Sequence, residues 1–152
     1  MDTTGMKPAR VMLIEDSEGD VYTFQRSIRA ARILNEVSVM SNGKKALDFL
    51  LNPANHEQLP SIIFLDINLP LVNGFEVLKK LKADPRTARI PVVMVTVSQE
   101  EDDIVRSYEY GAVSFVAKCI SPESIIDVMS SVHGFNFIAY CSDDATATVQ
   151  PS

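Results

Sequence analysis

The sequence predicts an α/β fold: a parallel five-stranded sheet with helices on both faces. Three observations carry this. The apolar runs at residues 11–14, 62–65 and 91–95 are unbroken, as strands buried on both faces require. Between them lie stretches whose apolar residues recur at helical spacing. The two kinds of segment alternate five times, strand first, which implies parallel strands, helical layers on both sides and right-handed crossovers.

Each element has its own signals. Residues 1–8 are polar and read as a loose leader. Residues 10–14 (Arg-Val-Met-Leu-Ile) form the first strand and end in Glu15-Asp16. Asp16 or Ser17 can cap the helix that follows, with Glu18 and Asp20 favouring its positive end. Val21, Phe24, Ile28 and Ala31 give that helix one apolar face. Residues 35–40 are a short strand, Asn42-Gly43 a turn, and Ala46, Leu47, Leu50 and Leu51 the face of a second helix. Residues 52–60 read as a polar loop. The third strand, 62–65, is broken by Asp66, and Pro70 with Asn73-Gly74 marks the turn beyond. Val77, Leu78 and Leu81 define a third helix, stopped by Asp84-Pro85. The fourth strand ends in Thr96. An acidic helix over 99–110 has Ile104, Val105 and Tyr108 inward and is closed by Gly111. The fifth strand, 113–117, is followed by Lys118. Ser121-Pro122-Glu123 starts a last helix, with Ile125, Ile126, Met129 and Val132 buried.

For five such units the common open arrangement is a flavodoxin-like (βα)5 three-layer sandwich, strand order 2-1-3-4-5. The first and third strands are then neighbours, and ligands bind at their carboxyl ends. Glu15, Asp16 and Asp66 should meet in one crevice, with Thr96 and Lys118 on the same rim. Carboxylates this close repel: at an effective dielectric of about 20, two charges at 4 Å cost about 4 kcal/mol. Either one is protonated or a cation sits there. Carboxylate oxygens suit a hard ion such as Mg²⁺, which keeps water and phosphate oxygens beside one or two carboxylates. The Lys118 ammonium and Thr96 hydroxyl suit a tetrahedral anion. These parts support phosphoryl transfer to a carboxylate.

Composition limits the alternatives. The 152 residues fit one domain, and 46% apolar with 22% charged is ordinary for a globular chain. A net charge of −6 and no basic stripe argue against binding nucleic acid or an anionic membrane. No segment has the length of a signal peptide core or a membrane span. Two cysteines, Cys119 and Cys141, make no disulfide framework, which points to a reducing cytoplasm. His56 and His133 have no metal-ligand spacing.

At the rim residues the sequence resembles the receiver domain of two-component response regulators. The matching pieces are Glu15-Asp16, Leu-Asp-Ile-Asn-Leu-Pro at 65–70 with Asn73-Gly74, Val-Thr at 95–96, and Gly111-Ala112 leading to Phe115 and Lys118. The resemblance implies a receiver domain over 9–138 and a tail over 139–152. It implies that Asp66 accepts phosphate from a histidine kinase. Asp16 and Asp66 would ligate Mg²⁺ with the backbone carbonyl of Asn68, and Glu15 would help through water. Thr96 and Lys118 would hold the phosphoryl group. Phe115 sits where the family carries a switch aromatic, and the signal would emerge on the face of the fourth helix, fifth strand and fifth helix. The polar loop before the third strand and the Ser-x-x-Glu-Asp-Asp at 98–103 are similar to the stand-alone regulators of phytochrome-type kinases, bacteriophytochromes included. Phe135, Phe137, Ile138 and Tyr140 exceed what one helical face needs, and either close the core or form a dimer seam; the likeness implies a homodimer through the fourth–fifth helix face and the last helix's extension.

Two residues depart from the family pattern. Cys119 stands where the family usually has proline after a cis bond. Val97 replaces a small residue after the threonine, which implies a narrower phosphoryl pocket with slower phosphorylation and hydrolysis. Two rival readings remain. An aspartyl-phosphate phosphatase would want a second acid two residues after the nucleophile, where Asn68 stands. A pseudo-receiver adaptor would bind partners without phosphorylation. A flavin-binding flavodoxin is disfavoured, because the loop after the first strand is acidic where it should cradle phosphate.

Overall fold

The computed structural model describes residues 9–97 and 100–132. Its elements alternate as β1 (Val11–Ile14), α1 (Glu18–Ala30), β2 (Val37–Met40), α2 (Gly43–Leu50), β3 (Ile62–Asp66), α3 (Gly74–Ala83), β4 (Val92–Thr96), α4 (Glu101–Glu109), β5 (Ser114–Ala117) and α5 (Pro122–Ser131). All strand pairs are parallel and the order is β2-β1-β3-β4-β5. This is the expected flavodoxin-like order. No helix among the described residues is long and apolar enough to cross a membrane.

Alternation along each strand divides the core in two. Met12, Ile14, Ile63, Leu65, Val92 and Met94 face α2 and α3. Val11, Leu13, Ile62, Phe64, Val93 and Val95 face α1 and α5, where Phe24 and Phe64 rings lie 5.0 Å apart. The three central strands are fully buried along their length, which is why their sequences read as unbroken apolar runs rather than alternating ones.

Caps set the helix starts. Ser17 is the N-cap of α1, and its side chain accepts from the Asp20 N–H. The two Asn-Gly pairs are not turn pairs as expected. Asn42 and Asn73 are N-caps, accepting from the Lys45 and Glu76 N–H groups, and each glycine is the first helical residue. Ser121 caps α5 with Pro122 behind it. Residues 52–60 are also not an open loop: Asn52 caps a 3-10 helix, Pro53–Gln58, starting on proline.

The inward face of α4 differs from expectation. Val105 and Tyr108 are about half exposed, Ile104 is half-buried, and the fully buried residue is Ser107. Its hydroxyl donates to the Asp103 carbonyl at 2.8 Å, so burying it leaves no donor unsatisfied. On α5, Val128 joins Ile125 and Met129 in the core, while Ile126 and Val132 are half-buried. His133, Cys141 and the expected dimer seam at Phe135, Phe137, Ile138 and Tyr140 lie outside the described residues, as do the whole leader and the whole tail.

Candidate functional site

Strand register brings the acids together. Ile14 lies opposite Leu65, so Glu15 and Asp66, each one step further, leave neighbouring strands side by side. Asp66 pairs in turn with Val95, and Thr96 with Ala117. The Lys118 N–H donates to the Thr96 carbonyl at 3.0 Å, so Lys118 leaves β5 beside the buried end of β4. Glu15, Asp66 and Thr96 are all buried, while Asp16 is exposed.

The centre of the site is the Lys118 ammonium, whose side chain is only 12% exposed. It lies 2.8 Å from Glu15 Oε1, 2.7 Å from Asp20 Oδ2 and 3.2 Å from Asp66 Oδ2. Burial works against its charge. Hydrogen bonds to Asp20 and Glu15 and the charge of Asp66 outweigh that, so its pKa stands above the ordinary lysine value. The other oxygen of Asp66, Oδ1, accepts from the Asn68 N–H at 3.2 Å. Glu15 Oε2 accepts from the Ser17 N–H at 3.2 Å.

Glu15, Asp16 and Asp66 each offer a carboxylate oxygen within 4.8 Å of the others. Two buried acids and one exposed acid, open on the Asp16 side, fit a hard divalent ion that keeps water. Asn68 is exposed and adjoins the cluster through its N–H. Phe115 is half-buried against the α2–α3 core, opposite Met94 in register. Val97 is exposed. The Lys118–Cys119 peptide bond is cis, the geometry that the resemblance associates with proline here.

Without a divalent ion, burial and then the neighbouring Asp66 charge raise the Glu15 pKa to about 7 from 4.5, against the pull of Lys118. The folded chain then holds this proton more tightly than the unfolded chain. The stabilisation is complete below about pH 4.5 and is lost as pH rises through 7. Urea unfolding in EDTA should show a loss on the order of 3 kcal/mol across that window. Glu15→Gln should flatten it; an equal slope in the variant would assign the titration elsewhere.

Sequence reasoning missed one residue of the site. Asp20 reads as a first-turn acid facing the helix dipole, yet it makes the shortest contact to Lys118. The available signal was position: the first turn of α1 starts at the strand-end rim where Lys118 also emerges.

Residues 11–130 match the response regulator receiver domain family. The chain belongs to that family and is a two-component receiver, a signalling module. Response regulator Rcp1 of Synechocystis sp. is 32% identical over 130 residues, covering 84% of this chain and 88% of Rcp1. The Mn²⁺-bound structure of Rcp1 superposes with a TM-score of 0.67, at 33% identity, covering 80% of this chain and 88% of that one. The bacteriophytochrome response regulator AtBRR has a TM-score of 0.70 at 35% identity, covering 80% and 90%. The phosphorylated cyanobacterial phytochrome response regulator RcpA has 0.69 at 30%, covering 80% and 89%.

Proposed function

We propose that this protein is a stand-alone, cytoplasmic response regulator that takes a phosphoryl group on Asp66 from a sensor histidine kinase of phytochrome type. The observation that carries the reading is the convergence of Asp66 with Glu15, Asp16 and Lys118 on one rim. In the transfer, an Asp66 carboxylate oxygen forms the bond to phosphorus. The bond from phosphorus to the kinase histidine breaks, and the ring leaves as neutral imidazole, its other nitrogen carrying a proton. Asp16 and Asp66 would hold Mg²⁺, with the Asn68 carbonyl and, through water, Glu15; the ion would neutralise charge on the phosphoryl oxygens. Lys118, in contact with Asp66, supplies a fixed positive charge, and Thr96 the hydroxyl. Phe115, half-buried on the edge strand β5, is the proposed switch aromatic, and the readout is a population shift of the α4-β5-α5 face.

Names of the relatives support the phytochrome-type kinase. Half-exposed Val105, Tyr108 and Val113 on and beside α4 support a homodimer through that face; sedimentation as a monomer at all concentrations would remove it. Binding nucleic acid or membrane has no place in this reading. Incubation with Mg²⁺ and acetyl phosphate should add one phosphate to the wild-type mass and none to Asp66→Asn. Turnover of unrelated phosphate esters would favour a phosphatase instead. A wild type that stays unmodified with acetyl phosphate and with kinase would make the chain an adaptor.

A further inference from the structure

Ser27 stands on the inward face of α1 with Phe24 and Ile28, and it is buried as they are. A hydroxyl there must find an acceptor. A helical serine or threonine usually takes a carbonyl of the preceding turn. Thr23, Ser107 and Ser131 do so, donating to the carbonyls of Gly19, Asp103 and Val128. Ser27 instead donates across the fold, to the Ile120 carbonyl at 2.6 Å. Ile120 lies two residues after Lys118, in the loop between β5 and α5. The start of that loop is held by the Lys118 N–H on the Thr96 carbonyl, and its end by the Ser121 cap. Among the described residues, Ser27 is the side chain that bonds the backbone between those two points. The buried Ile120 side chain adds contact without direction. The hydrogen bond fixes where its carbonyl, and so the peptide plane, points.

Resting on the phosphoacceptor reading above, we propose that Ser27 is a positioning residue for Lys118, acting through the Ile120 carbonyl. Asp20, Phe24 and Ser27 follow one another at i, i+4 and i+7, on one side of α1. The helix thus grips the lysine twice. Asp20 takes the ammonium at 2.7 Å, and Ser27 takes the backbone behind it. An ammonium on a flexible four-carbon stem is an aimed charge only if its root is fixed. With the root held, it meets Asp66 Oδ2 at 3.2 Å. Removing the Ser27 hydroxyl leaves the Ile120 carbonyl without its donor and lets the loop turn. The site then keeps every group and loses their alignment.

The test compares wild type, Ser27→Ala and Thr87→Val. Thr87 is fully buried ahead of β4, at the other end of the sheet, and donates to the Leu81 carbonyl at 2.6 Å. Its variant therefore removes the same kind of bond far from the rim. Urea midpoints should fall in both variants. With Mg²⁺ and acetyl phosphate, followed by intact mass, Ser27→Ala should gain phosphate about fivefold more slowly than wild type. Thr87→Val should keep the wild-type rate. In divalent-free buffer, the Lys118 Nζ signal in ¹⁵N NMR should move in Ser27→Ala and stay put in Thr87→Val. A wild-type rate or an unmoved Lys118 signal in Ser27→Ala, or equal slowing in Thr87→Val, overturns the role of Ser27 while the phosphoacceptor reading stands. A wild type that takes no phosphate, with a Lys118 signal that still moves in Ser27→Ala, removes the phosphoacceptor reading and leaves the hold of Ser27 on the lysine standing.

Discussion

Gly74→Ala is expected to destabilise the fold by about 3 kcal/mol or more, the upper range for overpacking. The reason is space, not backbone freedom. A Cβ on Gly74 would lie 2.2 Å from the Asp66 carbonyl oxygen, 2.7 Å from Ile67 Cα and 3.0 Å from the Asp66 carbonyl carbon. All three are backbone atoms of the strand end that carries the proposed phosphoacceptor. The Gly74 N–H also donates to the Ile67 carbonyl at 2.8 Å, tying the start of α3 to the same strand. A methyl group here must push the helix off the sheet or push Asp66 out of the site. Gly19→Ala makes the contrast. Only Ser17 Oγ, at 3.9 Å, approaches its added Cβ, and a helical glycine replaced by alanine gains about 0.5–1 kcal/mol. Urea midpoints should therefore move in opposite directions for the same chemical change. Equal midpoints for wild type and Gly74→Ala would mean that α3 is not seated on the strand end as described.

The same glycine shows what the sequence discloses and what it hides. Asn73-Gly74 announces a break in the chain after Asp66. It does not announce whether the glycine serves a turn or a close approach, because that depends on a strand residue eight positions upstream. The strand ends were legible for a physical reason: in a strand buried on both faces, a lone acid, hydroxyl or lysine is conspicuous. The topology rule then put Glu15, Asp66, Thr96 and Lys118 on one rim, and the coordinates agree. The α4 helix was less legible. An exposed helix against a half-buried edge strand buries few residues, so Val105 and Tyr108 mimic a core face while Ser107 fills it. Asp20 was hidden because two explanations fit a first-turn acid. Only the 2.7 Å contact to Lys118 separates a partner of the dipole from a partner of the site.

Lys118→Met should be the most damaging change within the site. Methionine keeps much of the stem's packing and removes only the charge. Glu15 and Asp66, both 3% exposed, would then lie buried without their cation. Breaking such a pair from one side costs about 3–5 kcal/mol. One escape is open: Glu15 can take a proton. Burial and Asp66 already raise its pKa to about 7 against the pull of Lys118, and losing that pull raises it further. The penalty should therefore be smaller at pH 6 than at pH 8, in EDTA. Removing the other charge should also relieve it. Lys118→Met combined with Asp66→Asn should be more stable at pH 8 than Lys118→Met alone, with a coupling of about 1–2 kcal/mol. Urea unfolding of the four chains of this cycle at both pH values measures each term. If Lys118→Met costs nothing at pH 8 and the cycle closes without coupling, Lys118 is not the charge that holds these acids together. The ammonium would then be a surface group, and the reading of this rim as a phosphoryl site would lose its cation.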